Sequence, residues 1–277
     1  MRERQPPVHL PPVRRRAILA VAAASLGGLG MPVRAETGDD PWPSLAAQIF
    51  DKQPITDGST VLSIDAPYRA EDAAVVPITI HNLLPAEDKR RIQAITLVID
   101  GNPSPLAAKF TLGARSGIRS LSTRVRVDSY TNIHAVAEMG DGALLATERF
   151  VKAAGGCSAP AAKQEAGGGI PMGTMRFRQL TQPGTDRPEL QLLIRHPNYS
   201  GMQMDQVTRL YVPAHFVSAI RIWQGDDLLL SIDSGISIAE NPEIRFDYRS
   251  NGATAFRAEA QDNEGGSFKG SWSVARA

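Results

Sequence analysis

Cysteine is almost absent from this 277-residue chain, in which Cys157 is the only one. A single cysteine excludes an internal disulfide, and a lone thiol in an oxidising compartment stays available for covalent chemistry. Histidine is also scarce, and none of the five histidines has the close His-x-His or His-x-x-x-His spacing typical of metal sites. We therefore expect no metal and no cofactor, since His134, His196 and His215 would form a site only if folding happened to bring them together.

An excess of charge of either sign is absent as well. The chain has 30 Lys and Arg against 29 Asp and Glu, and the charges are interspersed, which argues against a nucleic-acid partner. The sequence lacks a Gly-x-Ser-x-Gly nucleophile elbow, because Gly113-Ala-Arg-Ser-Gly117 has the wrong spacing. Its glycine pairs are more typical of hairpin turns than of phosphate-binding loops.

The first 35 residues predict an export signal of the Sec or twin-arginine type. Arg14-Arg15-Arg16 precede a short apolar run, and Val33-Arg34-Ala35 ends in a small-residue cleavage pattern. The run is too short to cross a bilayer as a typical helix, although an uncleaved anchor is the alternative. Removing six basic residues and one acidic residue changes the net charge from +1 to −4. We expect a bacterial periplasmic protein that has no membrane contact once the signal is removed.

After the signal, the pattern predicts mostly strands. Trp42, Leu45 and Ile49 have helical spacing, so one short helix is expected. Short alternating segments then follow one another, separated by turns such as Gly140-Asp-Gly142 and Gly225-Asp226. This indicates an all-β protein with two immunoglobulin-like antiparallel β-sandwich domains, residues 41–152 and 173–277, joined by a flexible cysteine-bearing linker, residues 153–172.

The linker holds the candidate site, Cys157. Glycine and other small residues surround the cysteine, and few apolar side chains are close enough in sequence to bury it. We therefore predict an accessible thiol of near-ordinary acidity, because Lys152 and Lys163 on a solvated loop favour the thiolate only slightly. The residues expected to give this arm its flexibility are Gly155, Gly156 and Ser158.

At this point the sequence resembles a known pair of proteins. The first half is similar to SoxY, the thiol-bearing subunit of the periplasmic SoxYZ sulfur carrier, through Val75-Val-Pro-Ile78, Asn102-Pro-Ser-Pro105 and Val151-Lys-Ala-Ala-Gly-Gly-Cys157. The second half is similar to SoxZ, through Arg195-His-Pro197, Val212-Pro-Ala-His-Phe216, Ile238-Ala-Glu-Asn-Pro242 and Ala260-Gln-Asp-Asn263. In their order, these segments resemble the fused SoxYZ-like carriers found alongside quinoprotein alcohol dehydrogenases.

The resemblance implies a protein without an active site of its own. The cysteine of the SoxY Gly-Gly-Cys-Gly-Gly tail holds a substrate covalently and presents it to partner enzymes, and Gly155, Gly156 and Cys157 match that tail. Ser158-Ala159-Pro160 replace its last glycines, and a second domain follows. The implied partners are periplasmic enzymes that load and process the cargo, including a quinoprotein dehydrogenase system, and the two halves are expected to pack together.

Two other functions stay open. The chain could be a thiol redox or accessory protein of a quinoprotein (PQQ) alcohol dehydrogenase system, in which case its redox partner is another protein, because no second cysteine is present. It could instead be a non-covalent scaffolding module, for which blocking Cys157 would have no effect. Cargoes other than sulfur compounds also stay open for the carrier function.

Overall fold

A computed structural model describes residues 40–85, 87–160, 169–180 and 187–274. The predicted export signal lies outside these ranges, as do residues 161–168 of the predicted linker, including Lys163. Within the described ranges, no helix has the length and apolar character needed to cross a membrane.

The described residues form one helix and fifteen strands. Their bounds are α1 (Trp42–Ile49), β1 (Ile55–Asp57), β2 (Leu62–Asp65), β3 (Val76–Asn82), β4 (Ile92–Ile99), β5 (Leu106–Leu112), β6 (Ser120–Val125), β7 (Thr131–Met139), β8 (Leu144–Val151), β9 (Met175–Leu180), β10 (Glu189–Ile194), β11 (Val217–Gln224), β12 (Asp227–Ser234), β13 (Glu243–Asp247), β14 (Ala255–Asp262) and β15 (Ser267–Ser273).

The short N-terminal helix confirms the prediction made from Trp42, Leu45 and Ile49. It follows Pro41 and carries a proline in its first turn, where the missing backbone N–H costs no helical hydrogen bond. Trp42 anchors the helix by stacking on the ring of His134, with ring centroids 3.7 Å apart and planes 3° from parallel. The helix therefore packs through its aromatic N-terminal residue against β7.

The strands form two sheets, which confirms the predicted all-β fold. The nine-stranded sheet has the order β1-β8-β7-β4-β5-β12-β11-β14-β15, and the six-stranded sheet has the order β2-β3-β6-β13-β10-β9. Neighbouring strands are antiparallel except β1 and β8, which are parallel. Alternation along β3 shows how the core arises, since Val76, Ile78 and Ile80 are buried while Pro77 is exposed.

Both sheets run across the two halves of the chain. In the larger sheet β5 pairs with β12, from Leu112 opposite Leu230 to Ala108 opposite Ser234. In the smaller sheet β6 pairs with β13, with Leu121 opposite Phe246. The halves are thus joined by backbone hydrogen bonds as well as by the linker, which leaves neither half with an open edge at this seam.

Gly113 lies directly on the seam, just after β5. Its backbone N–H donates to the carbonyl oxygen of Leu229 at 2.9 Å. A side-chain carbon at this position would lie 1.8 Å from the carbonyl oxygen of Leu228, which is far inside van der Waals contact with a backbone atom. Only glycine lets the two strands approach this closely.

Replacing this glycine tests how much the seam contributes to stability. We expect Gly113→Ala to lower the free energy of unfolding by about 1–3 kcal/mol, because the backbone must move apart to relieve the clash. Gly140→Ala is the matched control, since a carbon added there has its nearest neighbour at 3.6 Å. Urea unfolding measures both; equal midpoints for the two variants would show that the seam tolerates the added carbon.

Candidate functional site

The segment that carries Cys157, residues 153–160, lies against the body of the protein. After β8 it turns back onto the loop that follows β6, and three of its backbone N–H groups are bound there. Gly155 donates to the carbonyl of Asp128 at 2.8 Å, and Gly156 donates to that of Val127 at 3.0 Å. The N–H of Cys157 donates to Oδ1 of Asp128 at 3.2 Å. We call this arrangement the docked conformation.

The thiol is buried in the docked conformation, so the prediction of an accessible thiol with ordinary acidity is wrong for it. Cys157 has 0% of its surface exposed. Burial, with a further contribution from the Asp128 carboxylate, raises the pKa of Cys157 to about 11, against the opposing effect of Arg126. The prediction fails because it considers only residues near Cys157 in sequence, which offer little to bury the thiol. The residues that bury it are distant in sequence.

The residues predicted to make the arm flexible form a fitted turn. A carbon added to Gly156 would lie 2.0 Å from the carbonyl oxygen of Ala73 and 2.6 Å from that of Val127, so the docked segment requires glycine there. Gly155 is exposed, with φ of 76°. Ser158 is also exposed, and its hydroxyl donates to the carbonyl of Gly155 at 3.3 Å.

The second half of the chain also contacts the segment, through Ser200, and Arg126 of the first half binds both the segment and the second half. The hydroxyl of Ser200 donates to the carbonyl oxygen of Cys157. Arg126, which is 1% exposed, donates from Nη1 to the carbonyl of Gly156 at 3.2 Å and from Nη2 to that of Asn198 at 3.3 Å. Burial lowers the pKa of Arg126, while nearby Glu240, Cys157 and Asp72 raise it.

A buried amide positions these groups. The side-chain N–H₂ of Asn102 donates to the carbonyl of Arg126 at 2.8 Å and to the hydroxyl of Ser237 at 2.9 Å. Its oxygen accepts the N–H of Asp128 at 2.8 Å. Asn102 therefore fixes the backbone on both sides of Val127, where the cysteine segment binds.

Sequence reasoning does not identify Asp128, Arg126, Asn198 or Ser200 as site residues. The alternating pattern places Asp128 only at the end of a strand, and Asn198 and Ser200 follow the Arg195-His-Pro197 segment that carries the resemblance to SoxZ. One signal in the sequence could have identified the site. Arg126 lies near the end of the alternating segment Thr123-Arg-Val-Arg-Val-Asp128, where a buried charged side chain is unusual.

Two of the three histidines considered for a metal lie together, but the third does not. Nε2 of His215 is 2.9 Å from Oδ2 of Asp262, and Nε2 of His196 is 3.6 Å from the same oxygen. His134 lies elsewhere, with Nδ1 3.1 Å from Asp100 and Nε2 2.9 Å from Glu148.

Hydrogen bonding makes the His196, His215 and Asp262 cluster a poor metal site. Nδ1 of His196 accepts the N–H of Asn198 at 3.1 Å, so the neutral ring carries its proton on Nε2, the nitrogen that faces Asp262. Burial lowers the pKa of His196, which favours this neutral ring. Burial would raise the pKa of Asp262, but hydrogen bonds from His215 and from the N–H groups of Gly266 and Glu264 lower it. The cluster is better described as a carboxylate surrounded by donors.

The chain matches the models of two known protein families. The family model described as "Sulfur oxidation protein SoxY" matches residues 46–157, and that described as "Sulphur oxidation protein SoxZ" matches residues 177–273. The SoxY match ends at Cys157. Among curated proteins, no match was found.

Similar solved structures include the sulfur carrier protein SoxY from Chlorobium limicola f thiosulfatophilum. It is 28% identical, with a TM-score of 0.33, and the match covers 41% of this chain and 91% of that chain. Two structures of superoxide reductase (neelaredoxin) variants from Ignicoccus hospitalis also match. One variant is 14% identical with a TM-score of 0.30, covering 40% of this chain and 90% of that one. The other variant is 15% identical with a TM-score of 0.27, covering 47% of this chain and 98% of that one.

The family matches assign the first half of the chain to SoxY and the second half to SoxZ. SoxY and SoxZ are carrier families without catalytic activity, so the chain is not an enzyme. The seam at β5–β12 and β6–β13 associates the SoxY part with the SoxZ part. The chain is therefore a fused SoxYZ-like protein, in which a SoxY domain is followed by a SoxZ domain.

Proposed function

We propose that this protein is a periplasmic covalent carrier that holds a sulfur intermediate on Cys157 and presents it to partner enzymes. The observation that carries the proposal is the position of the only cysteine, which ends the SoxY domain on a short segment bound to both domains. A thiolate is a strong nucleophile that forms reversible bonds to sulfur, as a carrier requires. The periplasmic location rests on the predicted export signal.

A carrier of this kind needs a second conformation. A sulfur group added to Sγ of Cys157 requires space, and the docked thiol has no exposed surface. Loading therefore requires the segment to leave its site. This breaks the bonds of Gly155, Gly156 and Cys157 to the β6–β7 loop, and also the bonds that Arg126 and Ser200 donate to the segment. Each such bond contributes about 1 kcal/mol net, so binding of a partner can offset the cost of release.

The chemistry of loading constrains the partner. Joining Cys157 to a reduced sulfur as an S–S bond removes two electrons and the thiol proton, so this route needs an electron-accepting enzyme. Attack of the Cys157 thiolate on an existing S–S bond needs no oxidant, because the leaving thiolate takes the electron pair. We expect enzymes of one or both classes as partners, and sequence resemblance alone supports a quinoprotein dehydrogenase system among them.

A hairpin with an exposed apolar tip supports docking of the loading enzyme. Ser200, whose hydroxyl binds the carbonyl of Cys157, donates its backbone N–H to Oε1 of Gln203 at 2.8 Å, and Gln203 begins the hairpin. At its tip Val207 is 90% exposed, and Leu210 and Tyr211 are also exposed. The hairpin is connected through Gln203 and Ser200 to the segment that carries Cys157. We therefore expect an enzyme that binds this apolar tip to reach the thiol as well.

A substitution that prevents docking of the segment tests whether the protein has both a docked and a released conformation. We expect Gly156→Ala to expel the segment, because the added carbon overlaps the carbonyl of Ala73. The rate at which Cys157 reacts with a small aromatic disulfide at neutral pH then rises about tenfold or more, because the released thiol regains an ordinary pKa. Gly140→Ala, remote from the thiol and free of close contacts, should react like the parent. Equal rates in all three proteins would contradict docking in solution.

The pH dependence of the same reaction gives a second test. The docked thiol has a pKa of about 11 and an ordinary exposed thiol one of 9.0. The protonated thiol therefore favours docking below about pH 9, and this contribution is lost as the pH rises toward 11. We expect the reaction rate of the parent to rise with pH beyond the point where that of Gly156→Ala levels off. Identical pH profiles would show that burial does not raise the pKa.

Covalent carriage itself is tested by intact mass. We expect the protein isolated from periplasm without reductant to carry added mass on the Cys157 peptide, removable by a thiol reductant, and Cys157→Ser to carry none. Gly156→Ala, which keeps the thiol, serves as the matched control and should still be loaded. A Cys157→Ser protein that fully supports sulfur oxidation would falsify the carrier proposal and favour scaffolding.

A further inference from the structure

A polar pocket lies at the other end of the seam from Cys157. It is a cavity of about 190 Å³, formed by the loops that precede β4, join β5 to β6, precede β10 and follow β13. Strand β6 separates the two sites: Arg119, just before the strand, lines the pocket, and Arg126, just after it, contacts the cysteine segment. Seven residues of extended chain make this separation about 23 Å, so the pocket is not part of the thiol site.

Arginine dominates the charge of this pocket. Five arginines and a single carboxylate are among the described residues that line it, namely Arg90, Arg91, Arg119, Arg187, Arg249 and Asp88. The SoxY domain supplies the first three and the SoxZ domain the other two. Positive groups gathered in one concave site repel each other and attract anions.

Some of this charge is compensated by neighbouring groups. Asp88 binds Arg90, with Nη2 2.7 Å from Oδ2. Asp247, which does not line the pocket, accepts hydrogen bonds from Nε–H of Arg187 at 2.6 Å and from the backbone N–H of Arg119 at 2.7 Å. Arg119 also donates from Nη2 to the carbonyl of Leu84. These bonds fix the positions of three guanidiniums at the wall of the pocket, so their charges stay where an anion would meet them.

The charges of Arg91 and Arg249 are not compensated in this way. Both are exposed, and within the described part of the chain no hydrogen bond or ion pair involves either guanidinium. The guanidiniums of Arg249 and Arg187 both lie close to Gly117. A carbon added to this glycine would lie 3.6 Å from Nε of Arg249 and 3.8 Å from Nη2 of Arg187. Guanidiniums from two different loops thus converge on one point.

We propose that this pocket binds a small divalent oxyanion of the sulfate or phosphate type. Guanidinium groups match the paired oxygens of such anions, and convergent groups on fixed loops need little reorganisation to bind one. The site is a concavity of limited volume, which suits a small anion better than the extended acidic surface of a protein partner. An anion held by arginines of both domains would also stabilise the seam. The proposal does not depend on the carrier function.

Calorimetric titration with sodium sulfate, at constant ionic strength set with sodium chloride, tests the proposal. We expect saturable binding of one sulfate per chain. The double variant Arg91→Gln/Arg249→Gln should bind about tenfold more weakly or worse, which corresponds to about 1.4 kcal/mol. The matched control is Arg149→Gln/Arg221→Gln, which removes two exposed arginines that lie outside the pocket and should bind like the parent.

The outcomes are distinct. Absence of saturable sulfate binding, or equal weakening in the two double variants, would overturn the oxyanion site; the second result would indicate only a response to net charge. All four substituted arginines are exposed, so each variant is expected to fold, which thermal unfolding by circular dichroism verifies. Loading of Cys157 in the pocket variant should be unchanged, so failure here leaves the carrier proposal untouched.

Discussion

Pairing of β5 with β12 and of β6 with β13 turns two domains into one pair of sheets, and both candidate sites arise from it. At one end of the seam, residues of the SoxZ domain reach the cysteine segment of the SoxY domain, through Ser200 and through the carbonyl of Asn198 that Arg126 binds. At the other end, arginines from the two domains meet in one pocket. Neither site would exist in an isolated domain, because each takes essential groups from both.

Burial of the thiol has two opposite chemical effects. A covered thiol with a raised pKa has little thiolate at neutral pH, so it resists oxidation and unwanted disulfide exchange in an oxidising compartment. The same burial makes it a poor nucleophile until it is released. These effects fit a protein whose cysteine must react only with its own enzymes, since a partner that releases the segment both exposes the thiol and lowers its pKa toward the ordinary value.

The sequence is sufficient to predict the elements but not their assembly. Alternating residues such as Val76, Ile78 and Ile80 identify strands because a half-buried strand has a period of two, and helical spacing identifies α1. The seam is not predictable from periodicity, which describes the faces of a strand and not the neighbour at its edge. Burial of Cys157 is missed for a related reason, since Asp128 and Ser200 lie 29 and 43 residues away and no local pattern connects them to it.

Asn198 shows why release of the cysteine segment can be a local event. Its backbone N–H binds His196, its side-chain oxygen accepts the N–H of Val217, and its side-chain N–H₂ donates to the carbonyl of Ile238. Its φ of 43° lies in the left-handed region, which asparagine tolerates better than most residues. All of these contacts lie within the SoxZ domain, and only the carbonyl of Asn198 faces Arg126. If the cysteine segment leaves as proposed, Arg126 loses its bond to Gly156, but its bond to Asn198 does not involve the segment. We therefore expect the surface to stay ordered and to receive the segment again.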